Sequence, residues 1–139
     1  MAFFNKFNLF TSDLAQKVHN LNSDALKVML SNVSPIVGNH VKADIVEIAA
    51  GNGYVAGGTA AAFVSGNSSS GLYRLILSPV VFAATGGTFA NFEYAVLYND
   101  TAAQKNLIGW WDYGAPITLT SGNTFTVGID QTNGVLTLE

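Results

Sequence analysis

The feature that most constrains this chain is a series of short apolar segments after residue 50, separated by turns rich in glycine, proline and asparagine. The segments recur at roughly 8 to 12 residues, a spacing typical of antiparallel β-sandwiches and barrels. Phe125, Val127 and Ile129 alternate with polar or small residues, as in a half-buried strand. Helices do not alternate with these segments as a parallel sheet requires. We therefore predict a mainly β, single-domain antiparallel β-sandwich or barrel of about seven to eight strands.

Turn signals set the bounds of the predicted strands. The predicted strands cover residues 26–30, 72–77, 80–84, 92–98, 106–113, 117–120, 124–129 and 135–138. The triplet Ser121-Gly122-Asn123 predicts a hairpin between 117–120 and 124–129. Residues 59–64 also have a strand pattern, whereas 44–50 fits either a helical turn or a short strand.

One amphipathic helix is predicted over about residues 12–21. Its apolar stripe recurs at helical spacing and consists of Phe10, Leu14, Val18 and Leu21. Capping at the N-terminus is expected from Thr11, Ser12 or Asp13, and Asp13 and Gln16 have capping-box spacing. The chain is therefore divided into an N-terminal arm, residues 1–10, and one β-rich domain, residues 11–139.

The arm is unusually apolar, with four Phe and one Leu in residues 2–10. A flexible terminus would expose this apolar surface to water. The arm therefore either docks on its own domain or inserts into a partner or neighbouring subunit by strand addition, with its side chains filling pockets. The candidate partner-contact residues of the arm are Phe3, Phe4, Phe7, Leu9 and Phe10.

A second aromatic group, Trp110, Trp111 and Tyr113, supplies the remaining contact candidates. In a strand, Trp110 and Asp112 share one face, and Trp111 and Tyr113 share the other. One tryptophan is therefore expected in the core and the other near a rim or an interface. Tryptophan beside carboxylates can also indicate a saccharide groove, or a glycosidase if Asp112 and Glu93 act together.

Composition favours a packing function over chemistry. Charged residues make up only 11% of the chain, against about a quarter in soluble domains. Neutral polar groups cost less to desolvate than ions, which favours extended subunit contacts. The net charge is −3, and the six Lys and Arg are dispersed, so we expect no nucleic-acid partner. No segment has the apolar length of a signal h-region or a membrane span, so no membrane partner is expected.

No motif indicates a catalytic, metal or cofactor site. The glycine-rich segment 51–58 lacks the spacing of a dinucleotide fingerprint and the lysine of a P-loop, so we interpret it as a turn-rich connection. His19 and His40 have no second histidine at helical spacing, and the chain contains no cysteine. A nucleophile elbow is also absent from the sequence. We predict a protein that is not an enzyme and that needs no cofactor or metal.

Three blocks of sequence resemble a known group of proteins. They are residues 25–32, residues 44–54, and the cadence of 94–101 followed by 107–114, which ends in Ile-Gly-Trp-Trp-Asp-Tyr-Gly. Together they resemble small virion proteins of tailed bacteriophages, and most closely head decoration (cement) proteins. The resemblance implies a β-rich domain that binds the outside of an assembled capsid, often as a trimer. It also implies an N-terminal arm that joins a sheet or groove on the shell, and it brings no catalytic residues.

The expected function is therefore structural. The expected partner is the major capsid protein or another virion protein, with a homo-oligomer, preferably a trimer, assembled in the host cytoplasm and located in the virion. An alternative is a receptor- or glycan-binding module associated with a tail or tail fibre, in which residues 110–113 recognise the host. A virion enzyme that cleaves glycans with Asp112 or Glu93 is a weaker rival.

Overall fold

A computed structural model describes residues 2–139, which form ten strands in three antiparallel sheets with very little helix. The strands are β1 Phe4–Lys6, β2 Leu26–Ser31, β3 Thr59–Ala61, β4 Phe63–Ser69, β5 Leu72–Leu77, β6 Val80–Ala83, β7 Phe92–Asn99, β8 Leu107–Ile117, β9 Thr124–Val127 and β10 Leu136–Leu138. The helical elements are α1 Phe10–Ala15 and a 3₁₀ turn, Lys42–Asp44. The mainly β prediction is confirmed, and the described strands do not close into a barrel.

The largest sheet has five strands in the order β1-β8-β7-β2-β3. Strands β10-β5-β4 form a second sheet, and β6-β9 form a third. Side chains of all three sheets meet in one apolar cluster, the main core, which includes Leu30, Leu75, Phe82, Leu97 and Val127. The two small sheets therefore cover one face of the five-stranded sheet.

The opposite face of the five-stranded sheet carries a smaller apolar cluster, here called the second cluster. Its buried members are Phe7, Met29, Ile45, Val96, Tyr98 and Leu107, with Trp110 packed against them. Strand β7 alternates between the two clusters, because Leu97 belongs to the main core and Val96 to the second cluster. This central strand is therefore buried on both faces.

The predicted helix over residues 12–21 is wrong, and no N-terminal amphipathic helix of that length forms. Helix α1 spans only six residues and ends before Lys17, which adopts φ +67°. This left-handed residue turns the chain so that Val18 N donates to Asp13 O at 2.9 Å, a closure typical of helix C-termini. The Leu21 side chain is still buried in the main core, but its backbone lies in a turn and not in a helix. The predicted capping is also wrong, because Leu9 is the N-cap residue and no side chain caps the helix.

The predicted hairpin around Ser121-Gly122-Asn123 is wrong as well. Strand β8 continues to Ile117, residues 118–120 are not a strand, and β9 pairs with β6 along its whole length. The turn at Ser121-Gly122-Asn123 also bonds to the residue that follows β6, since Gly122 N donates to Ala84 O at 2.8 Å. The structure has ten strands where seven to eight were predicted, because residues 4–6 form β1 and residues 59–69 form two strands.

The glycine-rich segment 51–58 is a tight connection held by polar anchors. Gly57 and Gly58 have φ of +93° and +82°, which side chains with a Cβ rarely adopt. The Glu47 carboxylate accepts hydrogen bonds from Tyr54 Oη at 2.5 Å and from Gly57 N at 2.6 Å. Burial, followed by this bond to Glu47, raises the pKa of Tyr54 far above its ordinary value. Glu47 also forms an isolated bridge with Ser31, while the rest of 45–50 lacks regular structure.

Candidate functional site

The N-terminal segment docks on its own domain, one of the two alternatives that the sequence leaves open. Strand β1 is an edge strand that pairs antiparallel with β8, with Phe4 opposite Trp111. Phe7 is 1% exposed in the second cluster, and Phe10 is 0% exposed in the main core. The Phe7 and Phe10 side chains are therefore part of the interior.

Gly109 provides the space in which this segment lies. A Cβ atom at position 109 would overlap the Phe4 ring. That ring lies 4.9 Å, between centroids, from Trp111, and the Phe7 ring lies 4.5 Å from Trp110. Gly109 thus leaves room for the Phe4 ring, and the two tryptophans pack against the N-terminal segment from opposite faces of β8.

The two tryptophans lie on opposite faces of β8. Trp111 is 5% exposed and belongs to the main core, whereas Trp110 is partly exposed against the second cluster. Tyr113 shares the face of Trp111 and packs on Phe125 at 5.0 Å between ring centroids. Burial raises the pKa of Tyr113 to about 12, so its hydroxyl stays protonated at neutral pH.

The sequence-predicted contact residues therefore divide into two groups. Those with accessible side chains are Phe3, Phe4, Leu9, Trp110 and Tyr113. Those buried in the fold are Phe7, Phe10 and Trp111. Phe3 is the most exposed of all at 85%, although it directly precedes the docked β1.

An exposed apolar surface that the sequence reasoning missed lies on residues 33–46, which follow β2 and include the 3₁₀ turn. We call it the apolar loop, and its exposed members are Val33, Ile36, Val37 and Val46, at 52%, 67%, 46% and 59%. The loop reaches the N-terminal segment, because Asn8 N donates to Val37 O at 3.0 Å. The sequence gives no periodicity over this segment from which exposure could be inferred.

A groove of about 530 Å³, here called the aromatic groove, lies beside β8. Its lining residues are Ala2, Trp111, Asp112, Tyr113, Gly114, Thr126 and Gly128. At this point β8 bulges, because four residues, 113–116, stand opposite Glu93 alone between the pairs Phe92–Ile117 and Tyr94–Asp112. Bulges of this kind often redirect side chains at functional sites. Glu93 is not among the residues that line the groove.

In the fold, His40 contacts polar side chains from distant parts of the sequence. The buried carboxylate of Asp13 lies 2.8 and 3.0 Å from His40 Nε2 and accepts Asn106 Nδ2 at 2.9 Å. These bonds tie α1 to the apolar loop and to the start of β8. Within residues 2–139, no group of three or more His, Cys, Asp or Glu could hold a metal ion.

No helix of residues 2–139 has the length and apolar character needed to span a bilayer. Comparison of the chain with protein-family models, with curated proteins and with solved structures finds no match. Functional inference therefore depends on the residues and on the geometry described above.

Proposed function

We propose that this chain is a structural virion protein, a head decoration (cement) protein that binds the outer surface of a phage capsid as a homo-oligomer, with a trimer favoured. The observation that carries the proposal is the exposed apolar loop beside the N-terminal segment. Ile36 is 67% exposed and Phe3 is 85% exposed, in a chain with only 11% charged residues. The phage assignment itself comes from the sequence resemblance.

Apolar side chains grouped on a surface typically mark a contact with another protein. Burial of a large aliphatic side chain contributes roughly 1.5 to 3 kcal/mol. Residues 33–41 contain no Lys, Arg, Asp or Glu, which keeps the cost of desolvating this part of the contact low, whereas Val46 lies between the charged residues Asp44 and Glu47.

Cementing follows from mass action once such a contact exists. A protein that binds only the assembled shell stabilises that shell by the free energy of binding. Symmetric copies linked in one oligomer add avidity, so that modest contacts per copy suffice.

The structure determines how this proposal should be tested. Deleting residues 2–10 would remove Phe7 and Phe10 from the interior, so loss of binding would not separate docking from unfolding. We instead propose the double substitution Ile36→Ser/Val46→Ser, with Val55→Ser as the matched control. Val55 is 69% exposed but lies outside the apolar loop.

Binding is measured by co-sedimentation with phage heads that lack the protein. We expect the double variant to bind at least about tenfold more weakly, because two apolar contacts are lost, while Val55→Ser binds like the parent. Native mass spectrometry of the same samples gives the oligomeric state. Unchanged binding by the double variant, or no binding of the parent to heads, would contradict the proposal.

A second candidate function is host glycan recognition by a tail or tail-fibre-associated module, and the aromatic groove is the observation that favours it. Tyr113 offers a partly exposed ring and Asp112 an exposed carboxylate beside a cavity of about 530 Å³. The test is a glycan array with Tyr113→Ala, using Trp110→Ala on the opposite face as the control. Loss of a glycan signal only in Tyr113→Ala would favour this function over cementing.

A further inference from the structure

A cavity of about 450 Å³ has none of the exposed members of the apolar loop among its lining residues. It is open to solvent on one side and is lined by the turn that follows α1, by Tyr73 of β5, by Leu138 of β10 and by the loop Thr101–Ala102. Volumes of this size are typical of sites for small molecules. We call it the asparagine cavity after Asn20 and Asn22, which line it.

A buried amide behind the wall, that of Asn99, forms hydrogen bonds with two residues that line the cavity, His19 and Asp24. Asn99 Oδ1 accepts hydrogen bonds from Thr101 N at 2.9 Å and from Ala102 N at 3.2 Å. Its Nδ2 must therefore face the other way, where it lies 2.7 Å from Asp24 Oδ2 and 3.0 Å from His19 Nδ1. Because an amide nitrogen only donates, His19 Nδ1 accepts, and the ring proton is assigned to Nε2.

His19 consequently carries an unused donor. Its side chain lines the cavity, the residue is 5% exposed, and Nε2 has no hydrogen-bond partner in the part of the chain described. Burial lowers the pKa of His19, which keeps the ring neutral at neutral pH. A buried donor without an acceptor is unusual in folded proteins, and its bond is commonly completed by a ligand or a water molecule.

The cavity wall offers acceptors, donors and an aromatic ring together. Asp24 Oδ2 accepts Asn20 N at 2.8 Å and Asn99 Nδ2, while Oδ1 has no partner within residues 2–139. Tyr73 Oη donates to Asn22 Oδ1 at 2.5 Å, which fixes the ring at the wall. Lys17 stands at the same cavity and makes no ion pair with the described residues.

We propose that the asparagine cavity is a binding site for a neutral saccharide unit. A sugar presents hydroxyls that donate to Asp24 Oδ1 and accept from Lys17 or Asn20, and its apolar ring face matches the Tyr73 ring and the Leu138 side chain. An anionic ligand would face the Asp24 carboxylate, and a cationic ligand would face the Lys17 ammonium. An uncharged polyol matches both charged groups through its hydroxyls and the apolar groups through its ring face, and the test below includes only neutral glycosides.

The test uses saturation-transfer NMR with the full chain and the methyl glycosides of glucose, galactose, mannose, N-acetylglucosamine and rhamnose. Asp24→Asn removes the carboxylate acceptor, and Asp112→Asn makes the same change in the aromatic groove. We expect a glycoside that binds the parent to bind Asp24→Asn at least about tenfold more weakly, and to bind Asp112→Asn unchanged.

Asp24 also holds Asn20 and Asn99, so a second variant tests the site without removing a hydrogen bond. Ala102 lines this cavity and also the neighbouring one that His40 lines, so Ala102→Phe places a ring at both, and the control Ala103→Phe changes only the neighbouring cavity. We expect Ala102→Phe to abolish the saturation signal and Ala103→Phe to retain it.

Three results would overturn the inference. They are the absence of binding by every glycoside, binding that persists in Ala102→Phe, and binding lost only in Asp112→Asn. Head binding by Ala102→Phe, measured by co-sedimentation, distinguishes this inference from the proposed function: the parent level is expected, because the cavity shares no residue with the apolar loop.

Discussion

The two faces of the five-stranded sheet are covered in different ways. Two regular sheets cover one face and build the main core, in which Leu97 and Phe92 are fully buried. The N-terminal segment and the loop that carries Ile45 cover the other face and bury a much smaller cluster. The exposed members of the apolar loop flank Ile45, so the second face ends at an apolar surface open to solvent.

This difference separates stability from binding within one sheet. Strands that pair on a common ladder bury alternate side chains completely, so the side chains of the main core are not available for contacts, and the exposed Phe63, Val64 and Val81 of β4 and β6 lie outside it. A loop cannot cover a sheet face with the same regularity, and apolar groups at its margin stay exposed. We infer that the strand-covered face stabilises the fold, while the loop-covered face is available to a partner.

The largest expected effect compares one leucine from each face. Leu97→Ala in the main core should lower the free energy of unfolding by about 4 kcal/mol, and Leu107→Ala in the second cluster by about 2 to 3 kcal/mol. Both side chains are at most 1% exposed, so burial does not distinguish them. We expect the smaller loss for Leu107→Ala because the loop over the second cluster can relax into the space that the removed side chain leaves. Urea unfolding of both variants measures it, and equal losses would show that the two covers are equally rigid.

The next prediction concerns the contacts that hold the loop over the second cluster in place. The Glu47 carboxylate joins Tyr54 Oη, Gly57 N and Lys42 Nζ, which lies 3.3 Å away. Glu47→Ala should cost about 2 kcal/mol, because buried donors lose a charged acceptor, and Glu47→Gln should cost less. Hydrogen exchange should accelerate in residues 41–58 before it does in β7. Uniform acceleration over both faces would remove the distinction between them.

A smaller effect concerns pH. Burial lowers the pKa of His19 below its ordinary 6.5, so between pH 6.5 and its folded pKa the unfolded chain binds more protons than the folded chain. Stability should therefore fall as pH decreases from 6.5, and the loss should continue until the folded pKa is passed. Thermal unfolding between pH 7.5 and 5 measures this slope, which His19→Gln should flatten. The slope in this range does not come from the three carboxylates with lowered pKa values, Asp44, Asp100 and Asp130. They change the free energy of unfolding with pH only below about 3.8.

The smallest effect is expected on the open margin of the second face. Ile36→Ser should change the free energy of unfolding by no more than about 0.5 kcal/mol, because the side chain is 67% exposed. Chemical denaturation of the isolated protein provides the measurement. A loss above about 1.5 kcal/mol would mean that Ile36 supports the fold and is not a contact residue.

Prediction of the candidate sites from sequence depended on the range of the interactions involved. Opposite faces for Trp110 and Trp111 were predictable, because alternation along a strand is local. The docking of Phe4 over Gly109 was left open, since it requires a contact across more than a hundred residues. The apolar loop and the asparagine cavity were missed, because exposure and enclosure depend on elements distant in sequence.

What the sequence by itself determined is the mainly β character and the position of most strands, including β2, β5, β7 and β10, because a burial period of two is set within each segment. The tertiary structure alone determined that β9 pairs with β6, that α1 ends before Lys17, and that the first ten residues supply two core side chains. The physical reason is that a strand's hydrogen-bonding edge is nearly the same toward every partner. The long-range packing that buries the most apolar surface selects among those partners.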